Sequence, residues 1–170
     1  MDKENEKANI VSANVKETIF FPRDHSNDTL YFNVSIDDCG EWGGPKEEFI
    51  IYIDSSDTYQ LNYKRYRFNC DSIGVYADNR KKLLEFEKTI TLDDPEKKVI
   101  SDFLLDLMQA KIEEEIDSNA GSAYQVFKSD STLMVDVAST KKDIELSYYK
   151  FKSNLSFPQN RKKDNSVPAP

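Results

Sequence analysis

Residues 93–116, DDPEKKVISDFLLDLMQAKIEEEI, decide the fold class. Asp93 is a helix cap by residue type, Pro95 is tolerated in a first turn, and the early acids sit at the positive end of the helix dipole. Val99, Ile100, Phe103, Leu104, Leu107, Met108, Ile112 and Ile116 then fall on one stripe at helical spacing. Lys97, Lys98, Asp102, Asp106, Glu113 and Glu114 are left for the wet face. At about 1.5 Å per residue such a helix is long enough to lie across several strands. It is the natural cover for one face of a sheet.

Strand patterns flank it on both sides. Leu30, Phe32, Val34 and Ile36 alternate with Tyr31, Asn33 and Ser35, as expected for a strand with one buried face. Phe49-Ile50-Ile51-Tyr52-Ile53 is apolar on both faces, which predicts a central strand with its second face also covered. A turn at Asp54-Ser55-Ser56-Asp57 leads into a strand from Tyr59 to Asn69, so residues 49–69 form a hairpin. Leu84, Phe86, Ile90 and Leu92 return to period two. Beyond the helix, Asn119-Ala120-Gly121 supplies a stop. Tyr124 and Val126, then Leu133, Val135 and Val137, then Ile144, Leu146 and Tyr148 predict a meander of three antiparallel strands. The expected fold is α+β: a mostly antiparallel sheet of about seven strands packed against one long amphipathic helix at about 95–116.

The 170 residues suit a single domain with its own core. Residues 1–8 read as a polar leader or tether, 9–157 as the α+β domain, and 158–170, polar and proline-bearing, as a disordered tail.

Function is sought first in Asp37-Asp38-Cys39-Gly40-Glu41-Trp42-Gly43-Gly44-Pro45-Lys46-Glu47-Glu48, which holds the only Trp, one of two Cys and three of five Gly. Glycine gathered in one place, followed by Pro45, predicts a loop with a fixed backbone shape. Trp42 reads either as an exposed anchor for a partner or as a lid folded over the end of the core. The loop's carboxylates are oxygen donors of the type a hard cation takes, but they lack EF-hand spacing, and no metal is assigned. Cys39 and Cys70 can form one disulfide, while neither has a second Cys at zinc-knuckle spacing and His25 is the sole imidazole.

A formal net charge of −8 repels nucleic acid and anionic lipid over most of the surface, so no nucleic-acid partner is expected. No apolar run reaches the roughly 18 residues of a membrane span. The polar start fits either a cytoplasmic protein or, if a leader was removed, a periplasmic or outer-envelope lipoprotein; an even Cys count is compatible with the second.

No nucleophile elbow, phosphate-binding loop or dinucleotide fingerprint occurs, and no cofactor is expected. Tyr63-Lys64-Arg65-Tyr66-Arg67-Phe68 interleaves cations with aromatics, a composition that stacks on sugars or bases and pairs with anions. Cross-strand pairing with Asp or Glu accounts for the same cations without a ligand. Tyr148-Tyr149-Lys150-Phe151-Lys152 has a similar composition.

The sequence therefore points to a non-enzymatic binding or accessory module, exported or envelope-associated, for an unidentified protein or small ligand. Asp38, Glu41, Trp42, Lys46, Glu47, Arg65, Tyr66 and Arg67 are its candidate contacts. The alternative is a cytoplasmic, acidic, immunity- or antitoxin-like protein that neutralises a basic partner. A hydrolase using Cys39 or an acidic pair stands third.

Overall fold

A computed structural model describes residues 20–23, 28–37, 44–67, 83–113, 121–139 and 142–159. Along the chain they form β1 (Leu30–Ser35), β2 (Lys46–Ile53), β3 (Tyr59–Arg67), β4 (Leu83–Thr91), α1 (Asp94–Ile112), β5 (Ser122–Lys128), β6 (Met134–Ser139) and α2 (Lys142–Asn154). The six strands make one antiparallel sheet in the order β4-β3-β2-β1-β5-β6. The fold is α+β.

The first four strands meander outward from β1, and α1 carries the chain back so that β5 pairs on the other side of β1. A helix of 19 residues spans roughly 28 Å, enough to recross the intervening strands. Glu96 accepts from the Asp93 backbone N–H at 3.2 Å and so closes the helix start that the sequence marks.

Period-two alternation sets which face is buried. One cross-strand row reads Tyr63, Phe49, Phe32, Val126, Val135, all buried. Both helices pack on this face: Phe32 stacks on Phe103 of α1 and Phe151 of α2, and Phe49 meets Tyr148 and Phe151 edge-on. Aromatic rings supply much of the core, and each carries a large apolar area into it. Phe20 and Phe21 close one end, with Phe21 edge-on to Tyr59 and the Tyr59 hydroxyl donating to the Pro22 carbonyl at 2.9 Å.

Three expectations are corrected. Among the described residues there are six strands and two helices, not about seven strands and one helix. Residues 144–148, expected as the third strand of a meander, lie in α2. Ile144, Leu146 and Tyr148 satisfy period two, but Ile144, Tyr148, Phe151 and Leu155 satisfy the helical period, and these four are buried while Leu146 is 53% exposed. Helix wins because that stripe extends the cover over Phe32 and Phe49 begun by α1. Finally, β2 begins at Lys46, so Lys46, Glu47 and Glu48 are strand residues and not part of the loop. The expected continuations of α1 to Ile116 and of β3 to Asn69, the leader 1–8, and the tail beyond Gln159 lie outside the described residues.

Candidate functional site

The antiparallel order places the end of β1, the start of β2, the end of β3, the start of β5 and the end of β6 at one end of the sheet. The β1–β2 loop leaves from this end, and its described feet are tied down. Ile36 N–H donates to the Pro45 carbonyl at 3.0 Å, and Asp37 N–H donates to Ser122 Oγ at 3.2 Å. Ile36 and Gly44 are buried.

Glu47 follows as the second residue of β2. Alternation from Phe49 and Ile51 turns its side chain to the core face, where neither it nor Lys152 of α2 has exposed surface. Lys152 Nζ lies 2.8 Å from each carboxylate oxygen, and the Tyr148 hydroxyl donates to Oε2. The ammonium also sits over the rings of Tyr63 and Tyr148, at 5.4 and 5.5 Å from their centroids. Burial of a lone carboxylate or ammonium is strongly unfavourable, and here each charge meets the other in a fork completed by a phenol. Burial pulls the Lys152 ammonium below its usual range, against the opposing pull of Glu47. Burial first, and then the Glu47 charge, hold the Tyr148 hydroxyl well above the usual phenol range.

The Tyr63 and Tyr124 hydroxyls are buried without a hydrogen bond of ordinary geometry. Tyr63 is raised by burial and then by the Glu47 charge. Tyr124 is raised by burial, against the Ser122 hydroxyl nearby. A second buried cation, Lys128, pairs with Asp28 at 2.8 Å and reaches the Phe21 carbonyl at 3.4 Å, which ties the segment before β1 to β5.

The register brings five of the eight candidate contacts together on β2 and β3: Lys46 opposite Tyr66, Glu47 opposite Arg65, and Arg67 one residue further on. Their environments differ. Lys46 and Arg67 are exposed. Arg65 Nε pairs with Glu85 at 3.1 Å, next to a bulge between Arg65 and Tyr66, and Lys64 pairs with Glu87 at 3.5 Å. The Tyr66 hydroxyl donates to Glu48 at 2.8 Å and is pushed up to about 12 by burial and by that bond. Glu47 faces inward. Asp38, Glu41, Trp42, Cys39 and Cys70 lie outside the described residues, so their placement and the Cys39–Cys70 pairing do too. Sequence reasoning marks Tyr148 to Lys152 as a cation–aromatic segment but, reading it as strand, neither counts either residue among the candidate contacts nor pairs it with Glu47. A lysine on the apolar stripe of a helix, four residues after Tyr148, is the signal that finds them.

Among the described residues, no group of three or more His, Cys, Asp or Glu is placed to hold a metal, and no helix is long and apolar enough to cross a membrane. The Glu47–Lys152–Tyr148 cluster is closed to solvent, so its chemistry is that of an anchor: it fixes the C-terminal foot of the β1–β2 loop to α2. No family model matches the chain, and no curated protein or solved structure matches it either.

Proposed function

We propose that the protein is a non-enzymatic binding module that presents its β1–β2 loop, with Glu41 and Trp42 as the contacts, to a protein partner. The observation that supports this reading is the burial of Glu47, one residue into β2, against Lys152 and Tyr148. Buried charges are a costly way to hold an ordinary turn, and a rigid frame under a loop is the usual arrangement of a recognition site. Exposed Lys46 and Arg67 extend the contact along the sheet end.

The test places a photo-crosslinking residue at position 42, and as a control at Asp57 in the β2–β3 turn, in the cells that make the protein. A captured partner is then purified and titrated by calorimetry against wild type and Trp42→Ala. We expect one partner captured at 42 and not at 57, and about a tenfold or greater loss of affinity for the variant, the size of an aromatic hot spot. Equal capture at both positions, or affinity untouched by Trp42→Ala, rejects the reading.

A further inference from the structure

A second surface lies between the helices. The C-terminal half of α1 and residues 143–150 of α2 line an open groove of about 410 Å³. Its apolar part is formed by Ala110, Ile144 and Leu146. Leu146 is 53% exposed, and Ile112, at the end of α1, is 80% exposed. Isolated exposed apolar residues are ordinary on a protein surface, but here one lines a concavity and a second lies at the end of the helix that forms its wall.

The polar part is asymmetric in charge. Among the described residues, Asp106, Glu113 and Asp143 line the groove with one cation, Lys150, and Glu113 accepts a hydrogen bond from the Gln109 amide. Asp106 is held in place by the Ser147 hydroxyl, which donates to it across the two helices. The chain as a whole carries −8. Local and global charge thus attract the same kind of ligand, and a field of one sign speeds the encounter as well as orienting it.

We propose that this groove docks a basic segment of a partner protein, with an apolar side chain on Ala110, Ile144 and Leu146 and flanking Lys or Arg side chains against Asp106, Glu113 and Asp143. The assignment is independent of the loop: it rests on groove shape and charge complementarity, and it holds whether or not Trp42 makes a contact. It adds the chemistry of the partner, cationic and amphipathic, which the loop does not specify.

The probe is a synthetic Lys/Leu amphipathic peptide of about four helical turns, with its Glu/Leu counterpart as control, titrated into the full chain by calorimetry and by amide chemical-shift mapping. Two double variants are compared: Glu113→Lys/Asp143→Lys in the groove and Asp136→Lys/Asp57→Lys away from it, each changing net charge by the same amount. We expect the Lys/Leu peptide to move the amides of residues 106–113 and 143–150, and the Glu/Leu peptide to move none. Groove reversal should weaken binding about tenfold or more, with distant reversal costing about threefold or less through the general field. Leu146→Ser should also weaken it, which a purely electrostatic attraction would not require. Equal losses for the two reversals, shifts scattered over the surface, or no binding of the Lys/Leu peptide overturn the proposal. Shifts in the groove with none at the β1–β2 loop would support it while leaving the loop's partner separate.

Discussion

Lys152 Nζ lies 2.8 Å from both carboxylate oxygens of Glu47, and neither residue has exposed surface. A pair this deep is attractive internally yet has lost its hydration, so its worth is conditional on both members being present. Lys152→Met leaves Glu47 buried without its cation and should cost roughly 3–5 kcal/mol in urea denaturation. Glu47→Met/Lys152→Met fills similar volume with adaptable apolar side chains and should return stability to the wild-type level or above. A double variant as unstable as the single one would show that the pair is a net stabiliser and not chiefly a device for fixing the loop foot to α2.

Alkaline pH should act on this core through its phenols and its lysine in opposite directions. Lys152 is held below its ordinary 10.5 by burial. Between its folded value and 10.5 the unfolded chain binds the extra proton, so this contribution to stability increases as pH rises through that window. Tyr63, Tyr124 and Tyr148 are all raised above their ordinary 10.0, each chiefly by burial. Above that value the unfolded chain sheds phenolic protons that the folded chain keeps, so stability falls steadily. We expect stability to hold up to about pH 10 and to drop beyond it, with tyrosinate absorbance appearing together with the loss of circular dichroism. Tyrosinate signal from these residues well before unfolding would contradict the burial.

The buried Tyr124 hydroxyl, which makes only a poor contact with the Ser122 hydroxyl, offers a simple stabilisation. It is buried beside Tyr148 and Phe103 with no hydrogen bond of ordinary geometry. Tyr124→Phe keeps the ring contacts and removes a desolvated polar atom, so it should raise stability by about 1 kcal/mol and delay the alkaline transition. A loss of similar size would mean that the Ser122 hydroxyl or an ordered water satisfies it.

Ile144 and Leu146 separate the helical from the extended reading of residues 144–148. In a strand they would share a face and respond alike to truncation. In α2, Ile144 is buried and Leu146 is half-exposed. Ile144→Ala should therefore cost about 2–4 kcal/mol, while Leu146→Ser should stay within about 0.5 kcal/mol by thermal or urea melting. Comparable losses at both positions would contradict the helix.

Much of this architecture is legible without coordinates. The 93–112 stripe with its cap, the alternation at 30–36, and the hairpin through Asp54–Asp57 are strong because each has one period, with its turn or cap chemistry in agreement. The Asp54 side chain accepts from the Ser56 and Thr58 backbone N–H groups, the local bonding that makes such a residue a turn former. The segment at 144–148 is ambiguous because Ile144 and Tyr148 fit both periods while Leu146 fits only the strand one, and only the sheet beneath decides between them.

The candidate site divides in the same way. Composition alone singled out the loop around Trp42 and the acidic balance of the chain, since scarce residues gathered in one place and net charge need no coordinates. That Glu47 turns inward, that Lys152 arrives from 105 residues away to meet it, and that α1 and α2 line an open, acid-lined groove were decided by the tertiary structure. Side-chain periodicity is a property of neighbours along the chain. Charge pairing and concavity are properties of neighbours in space, which one-dimensional order fixes only after the sheet has set its register.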